Sequence, residues 1–239
     1  MTGHGLAATV WQRELLEFAQ RRRALVIKLI FPLVVGLPLL FSRAPSVYAA
    51  MALTMLATMI GAVGSGAVLT RERLTGLNVR YRLLPRRPAA LLCERLAVSA
   101  AIDLMQLSPI LILLAIRHPS RWPYWPALLI GTAAVLAMTN VLGAWASTLT
   151  TSPGEVMLVV LLPVLPALFL SGVFTTPASP AWRAIANVLP FTYLHDALLG
   201  ALFAAPRLSA LMDLGGATVF VLVAGLCAML LARHVLETD

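Results

Sequence analysis

Asp103 is the single acid well inside a long apolar run, and Gln106 stands about one helical turn further on. An acid in such surroundings is costly. It is kept for handling an ion or a substrate, or for a hydrogen bond between packed helices. Spacing leaves both roles open. A second polar group lies in Thr70–Glu94, which reads TRERLTGLNVRYRLLPRRPAALLCE and opens on Arg71, Glu72 and Arg73. A third is the pair His195 and Asp196, in a stretch that is otherwise mostly apolar. No catalytic constellation accompanies them. The chain has no GxxxxGK[ST] loop to cradle phosphates, no HExxH and no GxSxG. His4, His118, His195 and His234 are scattered. Cys93 and Cys227 stand far apart without a CxxC pair, and small apolar packing is the reading for both. No catalytic, metal-binding or cofactor-binding residue is therefore assigned.

Six apolar stretches must position these groups. They lie at about Ala24–Ser42, Val47–Leu69, Ala97–Ile116, Trp125–Thr148, Val156–Phe174 and Leu211–Leu231. Each approaches or exceeds the roughly 20 helical residues that cross a hydrocarbon core of about 30 Å. Apolar residues make up 60% of the 239 residues and charged ones 12%, with mean hydropathy +0.89. A soluble domain has about 25% charged residues. None of the stretches shows the period-2 alternation of a membrane barrel strand. The expectation is an all-α polytopic membrane protein, a single domain over 1–239 with six crossings, because helices satisfy their own backbone groups in lipid.

The net charge of +8 would suggest nucleic acid in a soluble protein. Here it is read as topogenic. One side of the membrane receives Arg13, Arg21, Arg22, Arg23, Lys28, Arg71, Arg73, Arg80, Arg82, Arg86, Arg87, Arg95 and Arg233. The other receives only Arg43, Arg117, Arg121, Arg183 and Arg207. The positive-inside rule places both termini and the Arg-rich loop in the cytoplasm. The first apolar run, behind Glu14 and Glu17, is expected to stay as a signal-anchor. Trp122, Tyr124 and Trp125 look like an interfacial aromatic belt.

Three segments are not crossings. Residues 1–23 contain Trp11, Leu15 and Phe18 at i, i+4 and i+7, the pattern of a helix lying in the interface. Residues 70–94 form a cytoplasmic region, with Leu74, Leu77, Tyr81 and Leu84 on one stripe of a short Thr70–Leu84 helix. Pro85 ends that helix and Pro88 starts the next. The stripe suits a positive-inside anchor or a docking surface equally. Residues 175–207 lie outside. Pro177, Pro180, Pro190 and Pro206 divide them into pieces near Ala181–Leu189 and Thr192–Ala205, which together suggest a re-entrant helical hairpin. Gly61, Gly64, Ser65 and Gly66 give the second crossing a small face for close packing, and Pro163 and Pro166 are expected to kink the fifth.

Two segments carry a family resemblance. Arg71-Glu72-Arg73-Leu74-Thr75-Gly76, followed by Leu83-Leu84-Pro85, is one. The other runs from Ser171-Gly172-Val173-Phe174 through Pro180-Ala181-Trp182 to Asn187-Val188-Leu189-Pro190-Phe191-Thr192-Tyr193 and Asp196-Ala197-Leu198. With the six-crossing plan and the interfacial helix, the chain resembles the membrane (permease) subunit of ABC-2 type transporters.

That resemblance implies a bacterial plasma-membrane exporter for an amphiphilic drug, antibiotic or lipid. It implies a second permease copy, identical or homologous, and two cytoplasmic ABC ATPase subunits that bind ATP and Mg in this chain's stead. Arg71, Glu72, Arg73, Gly76, Leu77, Tyr81 and Leu84 would couple to the ATPase. Gly172, Phe174, Pro190, Tyr193 and Asp196 would belong to the outer hairpin or gate. Asp103 and Gln106 remain the polar pair inside the membrane. The competing readings are an ion-coupled secondary transporter using Asp103 and a polysaccharide exporter subunit.

Overall fold

The computed structural model describes residues 22–41, 45–77, 87–203 and 210–237. These residues form eight α-helices and a 3-10 turn, with no strand among the described residues. The helices are α1 (Arg22–Phe41), α2 (Ser46–Leu74), α3 (Pro88–Arg117), α4 (Trp125–Leu149), α5 (Pro153–Leu170), α6 (Pro180–Asn187), α7 (Pro190–Phe203) and α8 (Ala210–Glu237). Five of them, α2, α3, α4, α5 and α8, are long and apolar enough to cross a bilayer. The apolar part of α1, Val26–Leu39, is shorter. The pair α6 and α7 passes the same test together, bent by 95° at its break. The two-piece hairpin read from the prolines thus has the shape of a broken helical pair.

Local sequence sets the boundaries. Proline stands in the first turn of α3, α4, α5 and α6, where its missing N–H costs nothing. The Ser152 hydroxyl accepts from the Glu155 N–H at 3.4 Å, and the Glu155 carboxylate reaches back to the Thr151 N–H at 2.8 Å. Ser179 caps α6 by accepting from the Trp182 N–H at 3.1 Å. Gly76 at φ 69° and Gly172 at φ 77° follow the ends of α2 and α5, in the left-handed region that side chains rarely enter.

Helix α4 is the hub. Its most extensive contacts are with α2 and α8, and it also meets α7, α3 and α5. Its apolar window is 67% buried, against 22% for α5 and α8, which present Leu162, Leu222 and Leu230 outward. Small residues make the α2–α4 contact. The Ser65 hydroxyl donates to the Gly61 carbonyl at 2.8 Å or to the Asn140 carbonyl at 3.1 Å. A Cβ on Gly143 would overlap the Ala62 carbonyl and the Ser65 hydroxyl. The small face of the second crossing therefore packs as expected, except at Gly64, which faces α3 instead.

Several boundaries differ from the sequence expectation. Thr70–Leu74 does not open a separate short helix. It is the last turn of α2, and the chain turns at Thr75 and Gly76 because Gly76 alone takes a positive φ there. Helix α3 starts at Pro88, as the proline suggests, but runs unbroken into the crossing expected from Ala97, so Arg95 lies inside a helix rather than in a loop. Helix α5 ends at Leu170, four residues before Phe174, at the Gly172 turn. Pro163 and Pro166 both sit within α5. Tyr124 packs its ring on Gly200 of α7, and Trp125, partly buried, packs against the main core. Cys93 and Cys227 are free thiols on α3 and α8. The expected interfacial helix of residues 1–23, apart from its last residues, and the Tyr81 and Leu84 part of the stripe lie outside the described residues.

Candidate functional site

The last turn of α2 sets three charged residues side by side and treats them differently. Arg71 is exposed. Glu72 points across to α3 and forms a salt bridge with Arg95, whose side chain is 6% exposed against 14% for Glu72. Arg73 donates from its guanidinium to the Thr150 carbonyl at the end of α4. The Thr70 and Thr150 hydroxyls share a hydrogen bond of 3.1 Å in the same place. The ends of α2, α3 and α4 are thus tied by polar contacts around one point. Leu74 is exposed, whereas Leu77 packs against a cluster built from α2, α3, α4 and α8. Leu77 therefore faces inward, which a stripe reading alone did not reveal.

Deeper along α2 and α3 stands the intramembrane pair. Asp103 and Gln106 are both buried. The Asp103 carboxylate accepts from the Asn140 side-chain amide at 2.9 Å, and that amide also donates to the Leu136 carbonyl at 2.8 Å. The other carboxylate oxygen faces Gly64, where an added Cβ would lie 3.8 Å away with nothing else near. The helix registers agree. Eight residues separate Gly64 from Glu72 on α2, and eight separate Arg95 from Asp103 on α3. At 1.5 Å per residue, Asp103 lies about 12 Å along the bundle from the Glu72–Arg95 bridge.

A cavity of about 590 Å³ opens beside this pair. Helices α1, α2 and α3 form it, with Met157 of α5 at its margin. Its lining is mainly apolar, and its polar members are Lys28, Asp103 and Gln106. Phe31 and Met157 in its wall are about half exposed. Volumes of about 300–1,000 Å³ with a few placed polar groups suit drug-sized ligands.

The hairpin of α6 and α7 is held by hydrogen bonds that close it onto the end of α5. The Thr192 hydroxyl donates to the Ser171 carbonyl at 3.0 Å or to the Ala186 carbonyl at 2.5 Å. The Tyr193 hydroxyl donates to the Asn187 carbonyl at 2.7 Å. The Trp182 indole donates to the Leu170 carbonyl at 2.8 Å, and its ring stacks on Phe169 with centroids 5.5 Å apart. Gly172, Pro190, His195 and Asp196 are buried here, and Phe174 is half-buried. Asp196 lines a cavity of about 350 Å³ with Arg183, Asn187 and Thr192.

The residues singled out from sequence that the structure describes fall into three places: the α2 end, the α3 midpoint and the α6–α7 hairpin. Arg95, Thr150, Asn140 and Lys28 were not marked as site residues. By sequence alone Arg95 and Lys28 read as topogenic charges. Asn140 carried a visible signal, as the one amide in a crossing that is otherwise apolar and small. Thr150 joins through the end of α4, which no spacing in the sequence connects to Arg73.

Comparison with curated proteins and with solved structures found no match. The family model for the ABC-2 type transporter matches residues 6–203, from before α1 to the end of α7, and the chain belongs to that family.

Proposed function

We propose that this chain is the membrane-spanning subunit of an ATP-driven exporter that moves an amphiphilic drug, antibiotic or lipid-like molecule out of the cell. The observation that carries the substrate class is the cavity of about 590 Å³, apolar over most of its wall. A polysaccharide would need a long polar path, and an apolar wall does not favour one. The subunit pairs with a second permease copy, identical or homologous, in the bacterial plasma membrane, with its termini on the cytoplasmic side. Two cytoplasmic ATPase subunits bind ATP and Mg.

Coupling runs through the end of α2. Arg71 and Leu74 are exposed there, available to a partner, while Glu72 and Arg73 tie the same turn to α3 and α4. A push on this turn then moves three helices together. Tyr81 and Leu84, further along the stripe, add to the docking surface. ATP binding shifts the helix packing around the cavity, and the outer hairpin opens on the far side. Alternating access by rigid-body movement needs no other chemistry from this chain.

The test is to co-purify the chain with its partner ATPase from membranes, beside Tyr81→Ala and Glu72→Ala. Loss of the ATPase in Tyr81→Ala supports docking at the stripe. An assembled Glu72→Ala complex with weakened ATP-driven export supports coupling through the turn. Parent-like assembly and export in both variants would refute this route.

A further inference from the structure

The main cavity holds two opposite charges at one depth, and they offset one another. Helices α1 and α3 meet at two points. A Cβ on Gly36 would sit 2.6 Å from the Ile110 side chain, and the Arg117 guanidinium lies 4.5 Å from the centre of the Phe41 ring. The two helices therefore run in the same direction. Lys28 lies eight residues before Gly36, and Asp103 lies seven before Ile110. At 1.5 Å per residue the two intervals are about 12 and 10 Å, so both residues stand at nearly one level. Both line the cavity, and the Lys28 ammonium acts through its charge on the Asp103 carboxylate. Among the described residues they are the titratable groups in this wall, which is therefore neutral as a whole.

Gln106, the third polar residue of the wall, is in a different state. Asp103 is held by the Asn140 amide at 2.9 Å as well as by the charge of Lys28. Gln106 lines the same cavity one helical turn further on and is 6% exposed. Among the described residues its amide has no hydrogen-bond partner. A primary amide offers two donors and an acceptor oxygen. Left unpaired in apolar surroundings it is unfavourable, and a ligand group that meets it removes that cost. Around it the wall is Met55, Met59, Phe31 and Met157. Methionine side chains are unbranched and polarizable, and they adapt to apolar chains of varied shape.

We propose that this cavity binds uncharged amphiphiles whose polar end carries a hydroxyl or an amide. The polar end pairs with Gln106, and the apolar chain lies along the methionines. A ligand with a net charge gains nothing from a pair that is already matched. The member that attracts it stands level with one that repels it. Its own charge then loses water without compensation, which is costly in an apolar site. The inference names a substrate class for the exporter reading and rests on that reading for its biological use, but the binding itself requires no ATPase.

The experiment measures binding to the full-length chain in phosphatidylcholine nanodiscs, counted above empty nanodiscs at equal probe concentration in the lipid. Radiolabelled probes share a lauroyl or dodecyl chain. N-lauroylethanolamine carries an amide and a hydroxyl, and monolaurin carries hydroxyls on a glycerol ester. Dodecylammonium is cationic, and dodecyl phosphate is anionic. The expected order is both uncharged probes above both charged ones, by about tenfold or more. Tight binding of monolaurin alone would also support the site and assign it to a glycerolipid. Tight binding of N-lauroylethanolamine alone would support it and assign it to an amide amphiphile. A charged probe that binds as tightly as the better uncharged one overturns the proposal.

Gln106→Leu should weaken the uncharged probes by about fivefold and leave the charged ones unchanged. Asp103→Asn removes the charge that offsets Lys28, so dodecyl phosphate should gain about tenfold and dodecylammonium should not. Lys28→Gln is the mirror case, and there dodecylammonium should gain. Uncharged-probe binding within about twofold of the parent in folded Gln106→Leu overturns the proposal. So do unchanged affinities for both charged probes in the folded charge variants. Where a variant fails to fold, the order of the probes on the parent still decides. Adding the ATPase separates the two claims. Selective binding of uncharged probes without any stimulation of ATP hydrolysis in the assembled complex would contradict the exporter reading and leave the site standing.

Discussion

Glu72, in the last turn of α2, is bridged to Arg95, inside α3, and both side chains are largely shielded from water. This changes what the glutamate is worth. In a water-accessible loop the pair would contribute about 0–1 kcal/mol. Breaking a fully buried pair by removing one partner costs about 3–5 kcal/mol, because a charge stays behind in the interior. Glu72 keeps some exposure, so its cost falls between these limits. Glu72→Ala should lower the melting temperature of the detergent-purified chain clearly. Glu72→Leu combined with Arg95→Met should recover most of that stability while coupling to the ATPase stays poor. A double variant with parent-like export would show that the bridge is purely structural.

Asp103 and Asn140 offer a second check on energetics. Their hydrogen bond joins α3 to α4. Side-chain hydrogen bonds between membrane helices average about 0.6 kcal/mol and reach about 1.7. A double-mutant cycle with Asp103→Ala and Asn140→Ala should give a coupling energy in that range in a reversible unfolding assay. Asp103→Asn should fold like the parent, since an amide oxygen can still accept from Asn140. A coupling energy near zero would contradict the contact.

Gly143 tests the α2–α4 packing. Gly143→Ala should be strongly destabilising, because the new methyl overlaps the Ala62 carbonyl and the Ser65 hydroxyl. Gly225→Ala on α8 meets nothing within 4 Å. It should be neutral or stabilise the helix by up to about 1 kcal/mol. Thermal stability of the two variants side by side decides the matter, and equal melting temperatures would contradict the packing.

Orientation is tested at the C-terminus. The basic residues assigned inside outnumber those assigned outside, as 13 named side chains against 5. A reporter active only outside the cytoplasm, fused after Asp239, should therefore be silent. A strong signal would contradict an even number of crossings with both termini inside.

Much of the architecture was legible in the sequence because lipid imposes simple rules. Long apolar runs become helices, prolines mark starts and breaks, and glycines permit close contact. Val47–Leu69 and Trp125–Thr148 were read within a few residues of α2 and α4 at all ends but one. The exception is the C-terminal end of α2. The charged run TRER looks like the start of a loop, yet the α3 and α4 ends supply Arg95 and Thr150 as partners, so the helix carries on to Leu74. Such tertiary partners leave no periodicity in the chain. The same holds for the site. Asp103 was conspicuous as a lone intramembrane acid. Lys28 was not, since a lysine near the start of a crossing reads as a topogenic charge until the cavity places it opposite Asp103.

The central claim is that this chain moves amphiphiles outward only when joined to an ATPase. The direct measurement is reconstitution in proteoliposomes with and without the partner ATPase, following ATP hydrolysis and the transbilayer movement of a labelled amphiphile together. The chain alone should neither hydrolyse ATP nor transport, having no phosphate-cradling glycine loop. The assembled complex should do both, with hydrolysis stimulated by the amphiphile. Transport by the chain alone under an ion gradient, or ATP hydrolysis without the partner, would contradict the account.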